Sequence, residues 1–496
     1  MLRVCQGRLA LRAALFLFVL TLSAQTDDLS AKSHQAKELM AQGQFEQAVP
    51  LYEELCRALP ANTGLRLNLG LALQMSGRHQ AAIPQFERVL KAEPGNIPAL
   101  ISLGASRLET NDVAHAISPL EKAVTLQPAN PNPRGLLANA LLATGRPKDA
   151  AVHYRKLTAL TPDDPKPWFG AGQAYELLAK QAFDELNKTA EGSPEWLALV
   201  GESRIAQRQY RSAFFFYRQA LAKQPRLRGA HQSLADIYRA TGHPDWAAAE
   251  DQHEAALPPP NCVRDKAECD FTAGRLLDAT ASKSPYWRSR AYNTLALQSF
   301  SRLGKLRESV ELHAFKAEIF GNHGQYLEAV GEWRAALAMA AGDERLEQEL
   351  AKSLYLARDF QNALPAVQKL LQHSPASPEL QFFAGDSLLQ LERPEEAIPY
   401  LAAAVKADDR LIPAHAALGL AYARVGRAAE SIPHLEAALQ TDDDGSLHYQ
   451  LARAYQQAGN APKAQELMAQ YKDIQNRSEA EKRKLEQEAQ ITAPPL

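Results

Sequence analysis

Between Gly64 and Asn96 the apolar and small residues fall at Leu69, Gly70, Leu73, Gly77, Ala82, Phe86, Val89 and Pro94, with polar residues between them. The three- and four-residue spacing within 69–73 and within 82–89 is that of helices with one buried face, and Gly77 separates the two runs. The pattern therefore predicts two helices joined by a tight turn. It recurs about 34 residues further on, a period typical of helix–turn–helix repeats, at Leu103, Gly104, Asn111, Ala116, Leu120, Ala123 and Pro128. Another step gives Leu137, Ala138, Leu141, Gly145, Ala150, Tyr154, Leu157 and Pro162. No stretch alternates with strand periodicity, so the fold class is all-α.

Two of the recurring positions are small. In the first helix they are Ala36, Gly70, Gly104, Ala138, Gly172, Gly201, Ala235, Ala317, Ala351, Gly385, Gly419 and Ala452. In the second helix the matching residue is alanine at 48, 82, 116, 150, 213, 247, 329, 363, 397 and 464, and Ser431. Two antiparallel helices approach most closely where neither has a bulky side chain, so these positions mark the crossing point of each hairpin. Gly43, Gly77, Gly145, Gly242, Gly324, Gly426 and Gly459 supply the turns, where a left-handed residue lets the helix stop. Pro60, Pro94, Pro128, Pro162, Pro225 and Pro375 close the second helices.

This pattern resembles the tetratricopeptide repeat (TPR), and Trp168, Ala171, Gly172 and Tyr175 follow the opening W-x2-L-G-x2-Y with alanine for leucine. The resemblance implies a right-handed superhelical solenoid of antiparallel hairpins, interrupted near the middle. Each hairpin of such an array buries its apolar face only against its neighbours.

Along the chain, residues 1–24 carry Arg3, Arg8 and Arg12 before the apolar run Ala13 to Leu22 and the small pair Ser23-Ala24, the make-up of a secretory signal peptide. The chain is then periplasmic or secreted, with an uncleaved N-terminal anchor as the alternative; the mature part has no membrane span. A first TPR array covers 29–257, with the fifth unit lacking a turn glycine through Leu177, Leu178, Ala182, Phe183 and Leu186. A shortened or distorted hairpin is expected there before Gly192-Ser193-Pro194. Residues 258–309 form an irregular helical connector. A second array covers 310–478, and 479–496 form a charged helical cap or extension with a frayed tail around Ala493-Pro494-Pro495.

Within the connector, Cys262 and Cys269 are expected to form a local disulfide in an exported chain. With His253 they fit no standard zinc spacing, so no metal and no cofactor is expected. The formal net charge of −2 offers no concentrated basic surface for nucleic acid. There is no GxSxG elbow, no phosphate loop and no HExxH helix, so the chain is read as non-enzymatic. What the resemblance implies for binding is a concave face lined by first helices that contacts peptides or partner proteins. Carried onto this chain, its best candidates are Asn139, Phe169, Gln173, Gln232, Asp236 and Arg239. The expected function is a scaffold or adaptor in the cell envelope, with an accessory subunit for polysaccharide export or glycan processing as the alternative. The oligomeric state is left open.

Overall fold

The computed structural model describes residues 28–488 and 490–494, so the expected signal peptide lies outside the described residues. Helices are the only extended regular structure among the described residues. Helix α1 spans 28–41; α2 is Phe45–Ala58, α3 Thr63–Met75, α4 His79–Ala92, α5 Ile97–Glu109, α6 Val113–Leu126, α7 Pro131–Ala143 and α8 Pro147–Leu160. These make four antiparallel hairpins. Helix α9 is Pro165–Ala190, and it is followed by the hairpins α10 (Pro194–Ala206) with α11 (Tyr210–Lys223) and α12 (Ala230–Ala240) with α13 (Pro244–Ala255). Short α14 (Lys266–Thr272) and α15 (Leu276–Ala279) lead into α16 (Pro285–Leu303). Five further hairpins follow: α17 (Val310–Asn322) with α18 (Tyr326–Met339), α19 (Glu344–Leu356) with α20 (Phe360–His373), α21 (Pro378–Gln390) with α22 (Pro394–Ala407), α23 (Ile412–Arg424) with α24 (Ala428–Ala438), and α25 (Ser446–Gln457) with α26 (Ala461–Glu488).

The described residues divide into two compact units, those up to 178 with 295–299, and 179–294 with those from 300 onward. In the first, a core runs through Tyr52, Leu55, Leu69, Leu73, Phe86 and Val89, each buried. In the second, one core joins Leu197, Phe214, Tyr217, Leu234, Ile237, Tyr238 and Tyr286, and another joins Leu370, Leu388, Leu401 and Leu418.

The close approach at the small positions is tight. A Cβ at Gly70 would lie 2.6 Å from the Phe86 ring, at Gly104 2.5 Å from Leu120, and at Gly385 2.6 Å from Leu401. In each hairpin the large residue lies sixteen positions after the glycine (70 to 86, 104 to 120, 385 to 401), and it fills the volume the glycine vacates.

Most first helices are capped by side chains, whereas the second helices from α2 to α24 are not. Asn62 accepts from the Leu65 amide at 3.0 Å, Asn96 from Ala99 at 3.1 Å and Asp343 from Leu346 at 3.2 Å, the usual N-cap geometry. The turns preceding second helices take a left-handed residue instead. Where glycine is missing, Asn111, Arg208, Arg358 and Glu392 adopt φ values of 57–60° in its place.

A second repeated device ties one hairpin to the next. The repeat position of Trp168, the fourth when the unit is counted from the start of its first helix as at Thr63, donates to the backbone carbonyl six residues earlier: Arg66 to Pro60 at 3.1 Å, Trp168 Nε1 to Pro162 at 2.9 Å, Gln381 to Pro375 at 2.8 Å, and Arg134 to Pro128. A carbonyl in the turn after a second helix is thereby satisfied by the helix that follows.

One expectation needs correction. The fifth unit is not a distorted hairpin but one continuous helix of 26 residues: no glycine or proline lies between Gln173 and Ala190 to stop it, and good helix formers carry it through. The charged segment extends the last hairpin, with α26 running without a break from Ala461 to Glu488. Arg483 pairs with Glu479 at 3.2 Å along its exposed side. After α26, Ile491 and Thr492 contact the second unit's core, as described next.

Candidate peptide-binding cleft

The turn between α10 and α11 carries the left-handed Arg208, and the turn between α12 and α13 carries Gly242 at φ 83°. Arg208, Gln209, Tyr210 and Arg211 from the first turn and Thr241 and His243 from the second line a cleft of about 750 Å³. Gln490 and Ile491 also border it. Behind it stands an aromatic wall. The Tyr238 ring is fully buried, with Phe214 at 5.8 Å and Trp246 at 5.6 Å between centroids, and His243 stacks on Trp246 at 4.1 Å. Phe214 thus packs on the next hairpin, as the three consecutive phenylalanines of α11 require of at least one member.

Residues 490–494 cross this wall without regular secondary structure. Ile491 packs against the α10–α13 core, and the Tyr238 hydroxyl donates to the Thr492 carbonyl at 2.6 Å. Burial pushes that hydroxyl up to about 12, so it remains a donor at neutral pH. The arrangement offers an apolar side-chain seat next to a single fixed donor for a backbone carbonyl, the elementary contacts of extended-peptide recognition. The segment Gly242-His243-Pro244-Asp245-Trp246, which from sequence alone is ordinary helix-start chemistry, supplies part of this wall. The signal missed in the sequence is the isolated Ile491 in an otherwise polar and proline-rich tail.

The six groove candidates fall in two groups. Asn139, Phe169 and Gln173 lie in the first compact unit, and Gln232, Asp236 and Arg239 in the second. Asn139 is exposed, and its Oδ1 accepts from the Tyr154 hydroxyl at 2.7 Å. Phe169 is corrected: it is 8% exposed, so its ring belongs to the packing and is not presented at a surface. Gln173 is half-buried. On α12, Gln232 Nε2 donates to Asp236 at 3.3 Å, Arg239 pairs with Asp236 at 2.6 Å, and Arg239 also reaches Asp251 of α13. That trio forms one connected, solvent-exposed network. Cys262 and Cys269 are joined in a disulfide with their Cα atoms 5.6 Å apart, which closes the loop between α13 and α14.

Tetratricopeptide-repeat family models match residues 34–97, 76–131 and 349–411, residues 107–171, and residues 445–470. Comparison with curated proteins gives no match. Among solved structures, a tetratricopeptide repeat protein from Parabacteroides merdae is 13% identical, with 66% of this chain and 98% of that one covered and a TM-score of 0.33. MamA from Desulfovibrio magneticus RS-1 is 20% identical over 34% of this chain and 97% of its own, with a TM-score of 0.32. TTC0263 from Thermus thermophilus is 18% identical over 36% and 98%, with a TM-score of 0.29. From the matched segments and the hairpins they fold into, the chain carries tetratricopeptide repeats across residues 34–171, 349–411 and 445–470.

Proposed function

We propose that the protein is a non-enzymatic scaffold that binds extended segments of partner proteins, and that the cleft at the α10–α11 and α12–α13 turns is one of its binding sites. The observation that carries this reading is residues 490–494 themselves: a non-helical segment seated on the aromatic wall by Ile491 and by the hydrogen bond from Tyr238 to the Thr492 carbonyl. A partner segment would present an aliphatic residue followed by a free carbonyl in the same way. Asn139, Gln173 and the Gln232–Asp236–Arg239 network are proposed as further contacts on first helices. An envelope or secreted setting is part of the proposal, supported by the basic and apolar composition of residues 1–24 and by the Cys262–Cys269 bond, which persists in oxidising compartments.

One partly buried isoleucine and one backbone hydrogen bond contribute about 1–2 and about 1 kcal/mol, so an isolated short peptide binds in the millimolar range. A tethered segment, at an effective concentration that is also about millimolar, competes with it. Saturation-transfer NMR suits that regime. With a peptide of sequence Gln-Ile-Thr-Ala-Pro and the full chain carrying Ile491→Asp, the isoleucine methyls should show transfer, reduced by up to about half on the native chain and reduced again when Tyr238→Phe is added. No transfer to the Ile491→Asp chain, or equal transfer to both chains, would refute the cleft.

A further inference from the structure

At the end of the α12–α13 hairpin opposite the turn that lines the cleft, the two helices bring together three groups that the scaffold reading does not use. His231 Nδ1 lies 2.5 Å from Glu250 Oε2, and His253 Nδ1 lies 3.7 Å from the same oxygen. The two imidazole rings meet edge to face at 5.3 Å, and one donor atom from each residue lies within 4.8 Å of the others. Among the described residues this is the one group of three such donors gathered so closely. Glu250 is 2% exposed, whereas His253 opens to solvent.

The His231–Glu250 contact alone is a recurrent feature of the fold. The fourth position of the repeat meets the residue nineteen further on in several hairpins: Arg66 with Gln85 at 3.2 Å, His313 with Glu332 at 2.6 Å, His415 with His434 at 3.1 Å. A structural role accounts for the pair. It does not account for His253, one helical turn beyond Glu250; the equivalent residues after Gln85, Glu332 and His434 are Arg88, Ala335 and Ala437. Two further features suit a ligand. His231 Nε2 donates to the Pro225 carbonyl at 3.2 Å, the outer bond that orients a metal-binding imidazole and leaves Nδ1 as the ligating atom. Glu254 places Oε1 on the Gly229 amide at 2.9 Å and leaves Oε2 buried without a hydrogen-bond partner.

We infer that His231, Glu250 and His253 form a binding site for a divalent transition-metal ion of the zinc class. Two imidazoles and one carboxylate are a donor set that zinc accepts at about 2.0–2.2 Å, with the remaining position left to water. Entry of the ion displaces the proton shared by His231 Nδ1 and Glu250, which is released to solvent, and the two ligand atoms separate to the distance that tetrahedral coordination requires. The ion cross-links the two helices of one hairpin.

The test is calorimetric titration of zinc chloride into the metal-stripped full chain, with cobalt(II) absorption as a second readout. The native chain should take up one ion at micromolar or tighter affinity, with proton release and visible bands of a four-coordinate cobalt centre. His253→Ala, an exposed substitution that spares the structural pair, should weaken uptake at least 100-fold, and His313→Ala, whose contacts to Glu332 and Glu308 fall on opposite ring nitrogens and so do not converge on one point, should leave it unchanged. Absence of stoichiometric uptake by the native chain, or uptake equal in His253→Ala, overturns the site.

Discussion

At the residue scale, the fourth position of the repeat explains how unlike side chains serve one purpose. Trp168, Arg66 and Gln381 have in common only an N–H that reaches the carbonyl six residues before. Trp168→Phe should therefore cost about 0.5–1.5 kcal/mol, the typical net value of one hydrogen bond. Trp168→Arg, which restores a donor, should recover most of it; urea denaturation of the two variants decides, and equal losses would show that ring packing is what matters. This position is poorly legible in sequence because the pattern is chemical rather than apolar. The small positions are fully legible, since an added Cβ at Gly104 or Gly385 has no room in any register. Three of the four turns that lack glycine are not, because nothing about Arg208, Arg358 or Glu392 announces a left-handed backbone, whereas Asn111 is a residue that tolerates it; at the other three it is imposed by the helices on either side at a cost of about 1–2 kcal/mol each.

At the scale of elements, hairpin periodicity locates nearly every helix, and it misses where the period lapses. Helix α9 runs on because absence of a stop signal is itself a signal, and α26 runs on because charged residues continue a helix as readily as they cap one. Paired helices also exchange polar contacts that respond to pH. In the α23–α24 hairpin, burial first, and the neighbouring His415 second, hold the His434 imidazole below its ordinary value of 6.5. His415 Nδ1 is 3.1 Å away, and the Tyr422 ring, covered by Arg427 at 4.6 Å, stacks on the other side. A histidine with a depressed folded value binds its proton more readily when unfolded, so its contribution is fully present above about pH 6.5 and is lost as pH falls below. Amide exchange in α23 and α24 should accelerate between pH 7 and pH 5, after correction for the intrinsic rate, more in the native chain than in His434→Gln. Identical profiles would remove His434 as the cause.

At the scale of the whole molecule, sequence periodicity accounts for the stacking of hairpins within each compact unit but not for what occupies them. The contact between Tyr238 and Thr492 spans 254 positions, and no local pattern encodes such a distance. Whether Phe169 is buried likewise depends on the hairpins around it, not on its own position in the repeat. Hydrogen exchange on the full-length chain tests the peptide-cleft account most directly, because contacts in repeat arrays act on near neighbours. Replacing Ile491 by Asp should raise exchange in the segments 207–212 and 241–247 and leave the turns of α3–α4 and α21–α22 unchanged. Unaltered exchange in those two segments, or a rise spread evenly over every hairpin, would contradict it.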